Sequence, residues 1–181
     1  MGRGVIALVG MPGSGKSTVA RHLAKRLGMP CVDADQEIES QIGCSIREYF
    51  EECGEDAFRT IEVDVIDQLT RRNQPSVLAT GGGVVLRSEN RDHLHARCYV
   101  IYLRAQPEDI YRRLRHDRVR PLLQVRDPLQ ALKQLYALRD PLYRDVAHHT
   151  IETGRPNVNA LVNAIAMQIE MAGLTNSDSA P

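Results

Sequence analysis

The chain has 181 residues carrying 23 basic and 23 acidic side chains, so its formal net charge is zero. That length suits one domain with a real hydrophobic core, and the neutral balance argues against a bulk polyanion such as nucleic acid as partner. No run approaches the roughly 20 apolar residues of a membrane span, and the first residues lack the basic start and long apolar core of an export signal.

These features lead us to expect a cytoplasmic monomer with no nucleic-acid or membrane partner. The expected domain covers residues 1–174, followed by a small polar tail at 175–181 without fixed structure. The neutral average conceals segregation: residues 33–67 hold twelve carboxylates against Arg47 and Arg59, and residues 104–126 hold seven arginines against Glu108, Asp109 and Asp117. The four cysteines (Cys31, Cys44, Cys53, Cys98) have no C-x-x-C spacing and read as small, mostly buried residues. No nearby acidic or cysteine partner completes a metal site around His93, His95, His148 and His149, which read as solvated or helix-edge side chains.

In chain order, Val5-Ile6-Ala7-Leu8-Val9 is an uninterrupted apolar run of strand length. Gly10-Met11-Pro12-Gly13-Ser14-Gly15-Lys16-Ser17-Thr18 follows and fits the phosphate-cradling pattern G-x-x-x-x-G-K-S/T. Val19, Leu23 and Leu27 then place an apolar stripe on a helix over 17–27, stopped by Gly28. A short strand over 29–32 delivers Asp33 and Asp35, and a helix from 35 carries Ile38 and Ile42 up to Gly43. Ser45 to Glu48 forms a capping box opening a short helix that ends at Gly54. Residues 55–72 form a longer helix with Phe58, Ile61, Val65 and Leu69 on one face.

A strand over 76–79 runs into Thr80-Gly81-Gly82-Gly83, and a helix over 88–97 precedes a buried strand over 98–103. Pro107 opens a helix over 108–115, and an arginine-rich loop contains Pro121-Leu122-Leu123. Pro128 opens a helix with Leu129, Leu132, Leu135 and Leu138 on one side, expected to stop at Asp140-Pro141. A strand over 149–152 and a helix over 157–171 complete the pattern. Strands alternating with helices define an α/β fold: a central parallel five-stranded sheet with helices on both faces, and ligands at the strands' carboxyl ends.

The chemistry follows from that placement. Gly10, Gly13 and Gly15 let backbone N–H groups approach an anion, and the helix N-terminus adds unpaired donors. Lys16 can reach the terminal phosphates of a nucleoside triphosphate, and the Ser17 hydroxyl can ligate Mg²⁺. Gly13, Ser14, Gly15, Lys16, Ser17 and Thr18 are thus the nucleotide-contacting candidates.

Many phosphate-loop enzymes hold the metal through an Asp ending an apolar strand, but the strand over 76–79 ends without one. Asp33 is the best substitute; the competing reading is a helix N-cap. Asp35, two residues on in extended chain, would point the opposite way and orient a substrate hydroxyl, or it too is a cap. Gly81, Gly82 and Gly83 form either a floppy turn or a wall of N–H groups against a second ligand. Arg59, steadied by Glu62 three residues later, suits a substrate carboxylate or a structural ion pair. The arginine segment reads better as a mobile lid than as a nucleic-acid patch, since Tyr111 is its only aromatic, and Arg120 would meet phosphoryl charge as the lid closes.

Taken together these residues resemble the bacterial shikimate kinase family, a small branch of the nucleoside-monophosphate-kinase-like group. The likeness rests on Gly-Met-Pro-Gly-Ser-Gly-Lys-Ser-Thr, Val-Asp-Ala-Asp, Ala-Phe-Arg-Thr-Ile-Glu, Thr-Gly-Gly-Gly, Arg-Pro-Leu-Leu and Arg-Asp-Pro-Leu-Tyr, in order over roughly residues 4–170.

The resemblance implies transfer of the ATP γ-phosphate to the 3-hydroxyl of shikimate with Mg²⁺ as cofactor. It also implies a helical substrate-binding insertion near 34–63 and a lid near 113–126. Shikimate would be bound by Asp35, Arg59 and Gly81 to Gly83, with Arg139 joining Arg59 on the carboxylate. Ser17 and Asp33 would be the metal set. Lys16, Asp35 and Arg120 would be catalytic, and Arg113 and Arg155 would join the ATP contacts, Arg113 over the base and Arg155 in the adenine loop. The rival readings are a gluconate or nucleotide kinase, and a non-catalytic nucleotide-binding regulator.

Overall fold

A computed structural model describes residues 4–116, 123–154 and 157–174. Five strands, β1 (Val5–Val9), β2 (Cys31–Asp33), β3 (Ser76–Ala79), β4 (Cys98–Arg104) and β5 (His149–Glu152), form one parallel sheet in the order β2-β3-β1-β4-β5. The helices are α1 (Lys16–Leu27), α2 (Ala34–Ile42), α3 (Ile46–Arg71), α4 (Ser88–Arg97), α5 (Pro107–Leu114), α6 (Pro128–Val146) and α7 (Val158–Met171). The chain leaves β1 toward one side of the sheet and β3 toward the other. A crevice therefore opens beyond the carboxyl ends of β1 and β3, where open parallel sheets bind ligands.

Alternation along β1 divides the core. Val5, Ala7 and Val9 pack with Ile38, Phe58, Leu94, Ile110, Leu132 and Tyr143 from α2 to α6 on one face. Ile6 and Leu8 pack with Val19, Leu23, Ile165 and Ile169 from α1 and α7 on the other. Successive strand side chains point to opposite faces, so one unbroken apolar run serves both layers.

Most elements fall where the sequence puts them, and the differences are physical. β2 begins and ends one or two residues late, so Asp33 is its last residue and α2 starts at Ala34. The helices on either side of Gly54 form one α3 with a kink there, at a φ of 85°. The Ser45 capping box that opens α3 is complete, with Glu48 N–H bonded to Ser45 Oγ at 3.2 Å and Ser45 N–H to the Glu48 carboxylate at 2.9 Å.

α6 does not stop at Asp140-Pro141 but continues to Val146, and its buried face is Leu132, Asp140, Tyr143 and Val146. Leu138, expected on that face, is 72% exposed, because strict three-residue spacing drifts around a helix of 3.6 residues per turn. Of the cysteines only Cys98 is buried; Cys31 and Cys53 are exposed and Cys44 half-buried. His148 is tied to β4, its Nδ1 accepting the Val100 N–H at 3.0 Å, and its ring stacks on His95 at 4.5 Å. Half-buried and two residues past the end of α6, it has a structural role as well. Among the described residues no helix is long and apolar enough to cross a membrane.

Candidate active site

The loop between β1 and α1 supplies the donor side. Gly15 is the N-cap of α1 with a φ of 91°, and no side chain caps that helix end. Its first N–H groups are thus open to an anion, reinforced by the helix dipole. Gly13 lets the loop pack against α5: a Cβ there would sit 2.4 Å from Leu114 Cδ1. The Lys16 ammonium donates to the carbonyls of Gly10 at 2.8 Å and Met11 at 2.9 Å, which fixes the loop's curl from inside. Ser14 is buried with its hydroxyl lacking any protein partner, an unmet donor within the same loop.

Asp33 uses its two oxygens differently. Oδ1 accepts the N–H groups of Asp35 at 3.0 Å and Gln36 at 3.3 Å, capping α2. Oδ2 accepts the Ser17 hydroxyl at 3.2 Å. This pairing of a hydroxyl with one carboxylate fits Mg²⁺, which takes oxygen ligands, keeps waters and shares its remaining positions with phosphate. No group of three or more His, Cys, Asp or Glu side chains converges among the described residues, so an all-protein cage is not what these residues build.

Asp35 diverges from Asp33 for a different reason than strand alternation. It lies in the first turn of α2, so helix initiation at Ala34 turns it toward the crevice. Burial first, and the neighbouring Asp33 charge second, push its pKa up; Lys16 opposes them. A cavity of about 410 Å³ is lined by Gly13, Gly15, Lys16, Ser17 and Thr18 together with Asp35, Gly81, Gly82 and Arg113. Pro12, Thr80 and Leu114 complete it; Pro12 and Thr80 lie in the quoted motifs, and Leu114 lies in none.

The three glycines after β3 give room where the two sides meet. A Cβ on Gly81 would lie 2.9 Å from Asp35 Oδ1, one on Gly82 2.6 Å from Pro12 Cγ, and one on Gly83 2.3 Å from Arg59 Nη2. None of the three has a positive φ, so space rather than backbone freedom requires glycine. The obstruction comes from the protein's own groups as well as from any ligand.

Arg59, 11% exposed at its side chain, donates from Nη1 to Glu62 Oε1 at 2.8 Å and from Nε and Nη2 to Glu55 Oε1 at 3.4 Å. Its guanidinium also lies 5.1 Å from the Phe58 ring and 6.0 Å from that of Phe50. Glu62 is only 2% exposed; burial raises its pKa while the Arg59 charge and hydrogen bond hold it down.

On α6, the charge of half-buried Arg139 acts on both Glu62 and Tyr143. The Tyr143 hydroxyl donates to the Gly82 carbonyl, and burial pushes its pKa up to about 12. Arg113 is exposed on α5, with Nε donating to the Asp109 carbonyl at 3.4 Å. Arg120 and Arg155, with the centre of the expected lid and the adenine loop, lie outside the described residues.

A phosphate loop at the end of β1, a carboxylate in the same cavity and an arginine braced beside it define a phosphoryl-transfer enzyme of the P-loop kinase class. A family model described as shikimate kinase matches residues 12–170. The chain is 57% identical over 171 residues to a shikimate kinase of Paracidovorax citrulli, covering 93% of each chain. Its fold matches a shikimate kinase from Acinetobacter baumannii in complex with shikimate at TM-score 0.88 and 46% identity, over 94% of each. One from Aquifex aeolicus matches at TM-score 0.81 and 30% identity, over 95% of this chain and 99% of that one. The chain belongs to the shikimate kinase family and is an ATP-dependent kinase.

Proposed function

We propose that the chain transfers the γ-phosphate of ATP to the 3-hydroxyl of shikimate, as a cytoplasmic monomer in aromatic biosynthesis. The observation that carries this is the seam at Gly81 to Gly83, where Asp35 from the nucleotide cavity and Arg59 from the helical insertion abut one glycine run. One ligand there touches the hydroxyl-orienting carboxylate and the anion-binding guanidinium together. That combination suits a small hydroxylated carboxylic acid; gluconate has the same two groups, and shikimate is preferred to it on the family match.

In this reading the loop amides and Lys16 take the β- and γ-phosphates, with Thr18 beside them, Arg113 over the base, and Arg120 and Arg155 completing the nucleotide contacts. Ser17 and Asp33 would hold Mg²⁺, which supplies charge neutralisation on the phosphate oxygens. Asp35 orients the acceptor hydroxyl and accepts its proton, and its raised pKa suits a base that must take up a proton and release it again. Arg59 and Arg139 take the carboxylate, and the Gly81 to Gly83 backbone lies along the ring. Glu62 aims Arg59, and the two phenylalanines limit its swing.

The test is a coupled assay of ADP release against a panel of acceptors. Turnover with shikimate, and none with gluconate or a nucleoside monophosphate, is expected. Preference for either alternative would overturn the substrate assignment, and no acceptor-dependent ADP release would favour a regulator.

A further inference from the structure

Behind the acceptor pocket lies a buried polar cluster that touches neither substrate in the proposed arrangement. Its centre is Asp140 of α6, only 9% exposed. Oδ1 accepts the Tyr102 hydroxyl at 2.8 Å and faces Arg104 Nε at 3.3 Å, and Oδ2 accepts Arg144 Nε at 2.8 Å. Tyr102 and Arg104 belong to β4, inside the sheet. Arg104 is fixed in turn by Glu152 of β5 at 2.8 Å and by the Tyr136 hydroxyl at 2.7 Å.

α6 needs such an anchor at this point. Pro141 has no N–H to give the Ala137 carbonyl, and a proline inside a helix costs about 3 kcal/mol. The missing bond spans Ala137 to Pro141, the turn that carries Arg139. Even so, the helix continues to Val146. The Tyr102 ring packs against that of Tyr143 at 5.0 Å, and the Tyr143 hydroxyl holds the Gly82 carbonyl. A connected path therefore runs from the sheet through Asp140 to Arg139, Tyr143 and the glycine seam. Stability alone does not explain a buried carboxylate there, because well-packed apolar groups often do as well in such places.

We propose that Asp140 is a positioning residue for acceptor recognition, setting the α6 turn that aims Arg139 at the acceptor's carboxylate. This rests on the reading that Arg139 binds that carboxylate, and the experiment separates the two. Steady-state constants for both substrates are measured for Asp140→Asn, Tyr102→Phe and Arg139→Ala in the full chain. Asp140→Asn raises KM for shikimate about tenfold, with KM for ATP and kcat within about twofold, as expected for a lost charge-assisted hydrogen bond acting on binding. Tyr102→Phe keeps the ring pair, removes one donor and shows the same split at smaller size; it also serves if the first variant fails to fold.

An unchanged shikimate KM in both variants, or equal rises for both substrates, would overturn the positioning role and leave a plain structural anchor. Arg139→Ala with an unchanged shikimate KM would overturn the carboxylate reading beneath it. A rise in Arg139→Ala with none in the other two would overturn the positioning alone.

Discussion

In the proposed donor half of the site the phosphate cradle comes from nine consecutive residues, Gly10 to Thr18, and rests on backbone N–H groups and one lysine, with Asp33, Arg113, Arg120 and Arg155 added from elsewhere. In the proposed acceptor half the groups come from α2, α3, the turn after β3 and α6, and recognition would rest on long side chains braced by others. Glycine does different work in each. Gly15 is needed for its φ of 91°, with nothing nearer than Arg113 Nη1 at 3.9 Å to obstruct a side chain, whereas Gly83 has an ordinary φ of −93° and no room. A nucleotide's phosphates are common to many substrates and can be read by a local loop. The acceptor is particular, and reading it takes a tertiary assembly.

Asp35, where the halves join, gives the largest expected effect. Asp35→Asn should lower kcat about 10³-fold, the range of positioned acid–base catalysis, with ATP affinity unchanged in a binding titration. Because the fold raises the Asp35 pKa, it disfavours the ionised form present at neutral pH. The same variant should therefore melt at a higher Tm. Near-normal turnover would remove Asp35 from the chemistry.

Next come the paired glycine substitutions. Gly83→Ala must displace Arg59 and should raise KM for shikimate about tenfold while sparing ATP. Gly15→Ala should do the reverse, weakening ATP through roughly 1–3 kcal/mol of backbone strain. Crossed or equal effects would break the division into halves.

The smallest effect is on pH dependence. Asp35 must be ionised to act as base, so kcat/KM falls as pH drops through its pKa. That acid limb should lie above the roughly 3.9 of an ordinary Asp. A limb at or below that value would contradict the burial argument.

The sequence made the donor half legible because its chemistry is contiguous: a strand, a glycine loop and a helix start can be read in one window. Elements with uniform periodicity were legible too, as β3, α4 and β5 show. The acceptor half was legible only in fragments. Arg59 with Glu62 could be read from helical spacing, but Arg139 entered through family resemblance, in one motif with Asp140 and Tyr143, and nothing local joined that motif to Tyr102 on β4. The reason Asp35 faces away from Asp33 was misread, since it depends on where α2 begins, a boundary one residue wide. Pro141 reads locally as a stop; the ties from Asp140 to β4 override it. Cysteine burial was also misjudged, since a small side chain says little about which surface its element presents.

The most direct test of the two-half account is the pair of Michaelis constants for Arg59→Ala. Removing Arg59 leaves Glu62 buried and unpaired, at a cost of about 3 kcal/mol in stability, so the constant for ATP is the internal control. The account predicts a rise of about 10- to 100-fold in KM for shikimate with KM for ATP unchanged. Equal rises for both substrates would contradict it.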